Sequence, residues 1–167
     1  RCTRPKRSFL FFDAGMSNFL LYFKSNNMIH TPPLYNLFVY GSLRSGFKSD
    51  AYSYISNFFN LVGIGKVHGK LFDMGKYPAA KPSSDAHLIT GELYHIKNED
   101  DFSWAIGQLD VYEGVCVEED EMQLYYRDIA EVQIGVSKVP AWIYWFNGNV
   151  ENRRFIESGD LLEYYKH

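Results

Sequence analysis

Three glycines interrupt a stretch of strand-forming residues at 61–72, and this pattern limits the folds open to the chain. Gly63, Gly65 and Gly69 stand among Val, Ile and Leu residues typical of a β-strand. A glycine inside a strand pattern usually marks a bulge or a tight bend. The stretch therefore predicts a curled sheet or a small barrel. Aromatic residues, which favour strands, make up 17% of the 167 residues and agree with a sheet-rich core.

Other segments of the chain predict further strands and two helices. Four segments have strand character: residues 34–40, 87–96, 124–134 and 141–146. One helix is predicted over residues 49–59, and a second between the N-cap Asn98 and the terminator Gly114. Residues 73–84, with two prolines and Gly75, are predicted to be a loop. This mixture of strands and helices indicates an α+β fold.

Residues 1–33 differ from the rest of the chain in charge and pattern. They carry five basic residues and one acidic residue, whereas residues 34–167 carry twelve basic and nineteen acidic ones. We therefore expect one domain at 34–167 behind a leader at 1–33 that is non-native, upstream-translated or disordered, with Met28 as a start. The alternative is a targeting or membrane-surface segment. The apolar runs of the leader are too short for a membrane span, which needs about 18 residues.

Charge and cysteine content exclude several classes of function. An acidic domain is a poor partner for nucleic acid, whose phosphates require clustered basic residues. Cys2 and Cys116 give neither a disulfide framework nor a metal-ligand spacing, which favours a reducing cytoplasm. The five histidines form no metal-ligand pair. We expect Cys116 to be a buried core thiol rather than a nucleophile, and the acids at 118–121 to form a solvated loop.

Two short motifs carry residue types suited to catalysis. Tyr40, Gly41, Ser42 and Leu43 follow the first predicted strand, where a Gly-Ser turn exposes backbone N–H groups that can hold a carboxylate or phosphate. The alternative is an ordinary turn. Glu113 lies near the end of the second predicted helix, where the helix dipole disfavours a negative charge. The alternative is a solvated glutamate at a helix end.

Two further features are weaker. Tyr77 and Pro78 form a stiff pair that can wall a pocket, although a simple turn explains them equally well. Ser42 with a histidine would suggest a hydrolase, but the chain has no Gly-x-Ser-x-Gly motif.

Six motifs occur together in one order along the chain. They are YGSL at 40–43, GKLFDMGKYPA at 69–79, GELY at 91–94, LDVYEG at 109–114, YR at 126–127 and IESGD at 156–160. In this set and order the chain resembles the γ-glutamylcyclotransferase-like family. In particular it resembles the branch with plant avirulence-induced proteins, small bacterial homologues and γ-glutamylamine cyclotransferases.

This resemblance implies a fold and a set of site residues. The fold would be a compact, barrel-like mixed sheet flanked by helices. Glu113 would be the catalytic acid/base. The substrate would be held by Tyr40, Gly41, Ser42, Leu43, Tyr77, Pro78 and Tyr126, with the loop at 40–43 taking its α-carboxylate and amine region.

The implied reaction converts a γ-glutamyl compound to 5-oxoproline by an acyl-transfer or cyclising-lyase step, as in glutathione metabolism. No cofactor and no metal would be needed. We expect a cytoplasmic monomer whose partner is a small γ-glutamyl molecule, neither nucleic acid nor a membrane. Two alternatives stay open: a non-catalytic ligand-binding domain and a stress-response interaction module on the same fold.

Overall fold

Five β-strands close into a barrel in the described part of the chain. The computed structural model describes residues 33–115, 117 and 122–166. Its strands are β1 (Asn36–Val39), β2 (Phe59–Asp73), β3 (Pro78–Pro82), β4 (Leu88–Ile96), β5 (Tyr125–Ile134), β6 (Ser137–Phe146) and β7 (Arg154–Phe155). The barrel order is β2–β4–β1–β6–β5, and β5 pairs with β2 again at Gln133 and Lys66. The β1–β6 pair is parallel and the other pairs are antiparallel.

The long strand β2 makes the closure possible through its glycines. It runs for 15 residues and contains a register shift between Leu61 and Gly63. A Cβ atom on Gly65 would lie 2.5 Å from the Val132 side chain on β5, so a larger residue would push the two strands apart. The curled sheet predicted from these glycines is confirmed, and with it the α+β barrel-like fold.

Three α-helices accompany the barrel in the described ranges. They are α1 (Asp50–Phe58), α2 (Phe102–Tyr112) and α3 (Leu161–Tyr164), and short 3-10 turns lie at Ser45–Phe47 and Glu99–Asp101. The Ser49 hydroxyl caps α1 by accepting the Tyr52 N–H at 3.1 Å. The Tyr54 hydroxyl of α1 donates to the Ala105 carbonyl of α2 at 3.1 Å, which joins the two helices. Both predicted helices are therefore confirmed, although the second opens with the 3-10 turn.

Alternating side chains of β1 contribute to two apolar clusters. Phe38 belongs to a cluster that includes Val67 of β2, whereas Leu37 and Val39 belong to a cluster that includes Leu109 of α2. Leu43 of the following loop belongs to the same cluster as Leu109, so this loop lies against α2. The fold thus brings the loop at 40–43 close to the end of the helix that carries Glu113.

The predicted loop at 73–84 is wrong over Pro78–Pro82. These residues form β3, which pairs with β2 from Gly69↔Pro82 to Asp73↔Pro78. In the sheet, β3 is an edge strand, and prolines are tolerated at strand ends and on edges because their missing N–H need not join a ladder. The two prolines that indicated a loop therefore mark the ends of an edge strand.

Several expectations concern residues outside the described ranges. They are the leader at 1–33 apart from Pro33, the core position of Cys116 and the solvated acids at 118–121. They stay predictions.

Candidate active site

The loop after β1 contains three backbone N–H groups that have no hydrogen-bond acceptor among the described residues. It is closed by a hydrogen bond from the Arg44 N–H to the Gly41 carbonyl at 3.0 Å. Within the described ranges, the N–H groups of Gly41, Ser42 and Leu43 make no hydrogen bond. A Cβ atom on Gly41 would lie 3.2 Å from the Pro78 ring, so glycine allows this loop to pack closely against the start of β3. Such a row of N–H groups is suited to an anion.

A buried ionic network fixes the residues that directly follow this loop, Arg44 and Ser45. The Arg44 guanidinium, 3% exposed, lies 2.7 Å from Asp160 and 3.9 Å from the Glu92 carboxylate. Glu92 also accepts the Ser45 N–H at 2.8 Å and the Tyr94 hydroxyl at 2.6 Å. Arg44 is thereby engaged with acids and cannot offer its charge to a substrate.

Glu113 is positioned by the way α2 ends. It is the C-terminal cap of the helix, and its N–H bonds to the Leu109 carbonyl at 2.8 Å. Gly114 follows with φ +66°, and the Val115 N–H bonds back to the Asp110 carbonyl at 2.8 Å. This is a Schellman ending, in which a left-handed residue stops the helix. The predicted role of Gly114 as a terminator is confirmed, and the abrupt stop leaves Glu113 beside the barrel.

Glu113 and the loop at 40–43 line one small cavity of about 170 Å³. Within the part of the chain that the structure describes, the Glu113 carboxylate makes no hydrogen bond and no ion pair. Burial without a compensating charge favours the neutral acid, and it raises the pKa of Glu113 to about 7. A carboxyl group that titrates near neutral pH can both accept and return a proton.

Three tyrosines around Glu113 use their hydroxyl groups to fix the cavity wall. Tyr40 donates to the Tyr144 carbonyl at 2.7 Å, and Tyr125 donates to the Pro78 carbonyl at 2.7 Å. Tyr144 donates to the Asp110 carboxylate at 2.8 Å. Burial, with a contribution from the nearby Glu113 charge, raises the pKa of all three hydroxyls. They therefore stay neutral donors and do not compete with Glu113 for a proton-transfer role.

The cavity gathers most of the site residues predicted from the sequence. Its lining includes Tyr40, Gly41, Ser42, Leu43, Tyr77, Pro78 and Glu113. Tyr126 does not line it: that ring packs against the cluster that contains Val67 and Val132, and its neighbour Tyr125 lines the cavity instead. Further lining residues that sequence reasoning missed are Phe38, Val39, Tyr112, Leu124 and Tyr144. Of these, only Tyr112 could have been found from the sequence, because it is the fourth residue of the LDVYEG motif.

The described ranges show no metal-binding arrangement. No group of three or more His, Cys, Asp or Glu side chains is placed to hold a metal ion there. Among the helices of those ranges, none has both the length and the apolar character needed to cross a bilayer.

Comparison with protein families assigns the chain to a known group. The family model described as "Gamma-glutamyl cyclotransferase, AIG2-like" matches residues 37–163, which span β1 through α3. The chain belongs to this family. The resemblance inferred from the six motifs is thereby confirmed.

Relatives in the γ-glutamyl cyclotransferase family agree along most of the domain. The Escherichia coli K12 "Gamma-glutamylcyclotransferase family protein YtfP" is 29% identical over 127 residues, which are 76% of this chain and 96% of that protein. The solution structure of Escherichia coli ytfP aligns with a TM-score of 0.54 at 28% identity, covering 78% of this chain and 98% of that one.

Two further structures extend the comparison. Bacillus subtilis YkqA has a TM-score of 0.56 at 26% identity; the match covers 75% of this chain but only 39% of that chain. A mouse aig2-like protein has a TM-score of 0.56 at 20% identity, covering 74% of this chain and 86% of that one, and it supports the fold alone.

Proposed function

We propose that this protein is an enzyme that releases 5-oxoproline from a γ-glutamyl amine or a γ-glutamyl amino acid, with Glu113 as the general acid/base. The observation that carries the proposal is a Glu113 carboxyl group with a pKa raised to about 7, in a cavity that is also lined by Gly41, Ser42 and Leu43, the three residues that carry the backbone N–H groups of the loop. In the described ranges, neither the carboxyl group nor these N–H groups have a hydrogen-bond partner. Membership in the γ-glutamyl cyclotransferase family supports the same reaction type.

The reaction joins two groups of the same substrate residue. The α-amine nitrogen attacks the γ-carbonyl carbon, a new C–N bond closes the five-membered ring, and the C–N bond to the leaving amine breaks. Because both reacting groups belong to one residue, orientation is largely built into the substrate. No water and no oxidant or reductant enters the balance.

Glu113 supplies the proton transfers that this reaction needs. An α-amine has a pKa of about 8, so it arrives mostly as an unreactive ammonium ion at neutral pH. The Glu113 carboxylate accepts that proton, which frees the nitrogen lone pair. The resulting acid then donates the proton to the leaving amine as the tetrahedral intermediate collapses. A pKa near 7 suits both directions, because neither proton transfer is strongly uphill.

The N–H groups of Gly41, Ser42 and Leu43 supply hydrogen-bond donors for the negative charges of the substrate and of the tetrahedral intermediate. One part of this row would hold the substrate α-carboxylate, and another would stabilise the negative charge that develops on the γ-carbonyl oxygen. Such donors are effective because the Arg44, Glu92 and Asp160 network already holds the loop in place. Tyr77 and Pro78 would wall the glutamyl group on the β3 side.

A substrate panel tests this proposal. The protein would be incubated with γ-glutamyl amines, γ-glutamyl amino acids and glutathione, and 5-oxoproline would be measured by chromatography. We expect release from the amines and small amino acids, with glutathione poorer because the domain at 34–167 is acidic. N-acetylated and α-linked analogues should give no product, since neither can close the ring. Release from either analogue would contradict the mechanism. Binding without release from any γ-glutamyl compound would favour the ligand-binding alternative.

A further inference from the structure

Two motif residues that lie outside the cavity, Arg127 and Asp110, form an ion pair behind its wall. They belong to the YR and LDVYEG motifs. The Nη2 atom of Arg127, on β5, lies 3.4 Å from the Oδ2 atom of Asp110, on α2, and Asp110 is buried. The Arg127 guanidinium also packs over the Trp142 ring at 4.8 Å, and its buried Nη1 atom has no acceptor among the described residues. Asp110 is thus the acid against which the charge of Arg127 is held.

The second oxygen of Asp110 sets the direction of a hydroxyl group in the cavity wall. Asp110 Oδ1 accepts the Tyr144 hydroxyl at 2.8 Å, and Tyr144 lines the cavity that contains Glu113. Asp110 precedes Glu113 by three residues at the end of α2, so the two residues lie on neighbouring positions of one helix face. A tyrosine hydroxyl has one hydrogen atom to donate. Donation to Asp110 therefore leaves none for Glu113.

Tyr144 differs from the other two tyrosines whose hydroxyl groups fix the wall. Tyr40 and Tyr125 donate to the backbone carbonyls of Tyr144 and Pro78. These acceptors are present whatever the side chains are. The acceptor of Tyr144 is a side chain, so the direction of its hydroxyl depends on the identity of residue 110.

We propose that Asp110, paired with Arg127, is a positioning residue that turns the Tyr144 hydroxyl away from Glu113 and so leaves the Glu113 carboxylate free to accept a proton. The proposal rests on the proposed function for its part in catalysis. A hydroxyl that donated to the Glu113 carboxylate would stabilise the charged form and make it a weaker base. Neither Asp110 nor Arg127 lines the cavity, so both act through Tyr144.

The titratable residues that line the cavity with Glu113 are all tyrosines. In the ranges that the structure describes, no lysine, arginine, histidine or aspartate lines it. Burial, and then the Asp110 charge, raise the pKa of the Tyr144 hydroxyl, which therefore stays a protonated donor. The direction in which that donor points is thus a lever on the ionisation of Glu113. The tyrosines come from five different segments, and they are Tyr40, Tyr77, Tyr112, Tyr125 and Tyr144.

Removal of the whole ion pair tests the proposal without leaving one buried charge unpaired. Asp110→Leu combined with Arg127→Met takes away the acceptor of Tyr144 together with the cation, whereas either substitution alone would strand its partner. Urea unfolding between pH 4 and pH 8 reads the pKa of Glu113, when each protein is compared with its own Glu113→Gln form. In the wild type the difference in stability should change with pH up to about 7.

In the double variant we expect this change to end roughly one to two pH units lower. The freed Tyr144 hydroxyl then donates to the Glu113 carboxylate, and a hydrogen bond to a charged group is worth a pKa shift of about that size. The acidic limb of kcat/KM for 5-oxoproline release should move by the same amount.

Tyr144→Phe provides the matched control. Added to the double variant, it removes the freed hydroxyl and should return the upper end of the change to about pH 7. Introduced alone, it should leave the pKa of Glu113 unchanged, because the wild-type hydroxyl points to Asp110. This single variant also decides the question if the double variant does not fold.

Three results would overturn the inference. They are an unshifted pH range in the double variant, a shift that persists after Tyr144→Phe is added, and a higher pKa of Glu113 in Tyr144→Phe alone. The last result would mean that the hydroxyl already donates to Glu113. Because urea unfolding needs no turnover, a protein that releases no 5-oxoproline would overturn the proposed function while the same unfolding series still decides the direction of the Tyr144 hydroxyl.

Discussion

The folded protein should lose stability when Glu113 ionises, because its surroundings favour the neutral acid. Its pKa is raised from 4.5 to about 7 by burial. Between these pH values the unfolded chain releases the proton while the folded chain keeps it. The free energy of unfolding therefore falls as pH rises from about 4.5 to about 7, and the loss then levels off. Each unit of difference between the folded and unfolded pKa of Glu113 is worth about 1.36 kcal/mol, so the free energy of unfolding can fall by at most about 3 kcal/mol.

Substitution of Glu113 by glutamine isolates this contribution. Glutamine keeps the size and polarity of the side chain but does not titrate, so the stability of Glu113→Gln relative to wild type should grow as pH rises. We expect a gain of about 1–3 kcal/mol between pH 4.5 and pH 7, since the partial exposure of Glu113 reduces the ceiling. Urea unfolding at a series of pH values from 4 to 8 measures it, and all other carboxyl groups cancel in the comparison.

An exposed carboxylate provides the control for this measurement. Glu157 is solvent-exposed, and Glu157→Gln should show no comparable growth of stability between pH 4.5 and pH 7. A pH-independent difference between Glu113→Gln and wild type would refute the desolvation of Glu113. A wild type that becomes more stable than Glu113→Gln as pH rises would indicate that a cation pairs with the carboxylate.

Three further predictions concern the pH profile, the loop at 40–43 and the leader. The kcat/KM for substrate cyclisation should rise with pH up to about 7, as Glu113 ionises, and decline above about 8, where the free substrate amine loses its proton; an acidic limb near 4.5 would contradict the raised pKa. Gly41→Val should raise the substrate Kd more than Ser42→Ala does, because its side chain crowds Pro78 and the N–H groups; equal affinity of Gly41→Val and wild type would argue against the loop as a carboxylate site. A chain that starts at Met28 should melt as cooperatively as the full chain in calorimetry, and loss of the transition would place the leader in the core.

The sequence located the residues of the candidate cavity where its signal was local. The end of α2 has a local signal in Gly114, because a glycine readily adopts the left-handed conformation that stops a helix. The loop at 40–43 directly follows a short buried strand, and its Gly-Ser pair is a local turn signal. Both could therefore be located without knowledge of the tertiary contacts. The glycines of β2 likewise indicated a curled sheet.

Other features depended on pairings between distant parts of the chain. Tyr125 and Tyr126 are adjacent, and neighbouring residues of a strand face opposite sides, so the choice of Tyr126 over Tyr125 depended on the register of β5. That register is set by β6, through pairs such as Tyr125↔Phe146. Nothing local in the sequence distinguishes the two tyrosines.

Arg44 is a second case of a role set by distant residues. It directly follows the predicted substrate loop in the sequence, and the fold places it against Asp160, which lies 116 positions further along the chain. The GELY and IESGD motifs supply its acidic partners, Glu92 and Asp160. Their contribution to the site is to fix the loop, and this could be seen only once the barrel had brought the three segments together.

The turnover of Glu113→Gln tests the central claim most directly. A γ-glutamyl amine that the wild type converts would be given to both proteins at the same pH, with 5-oxoproline measured by chromatography and folding verified by the urea transition. We predict a loss of about 10²- to 10⁴-fold in kcat with the fold intact, because glutamine cannot exchange the proton. Near-normal kcat in a folded Glu113→Gln would contradict the assignment of Glu113 as the acid/base.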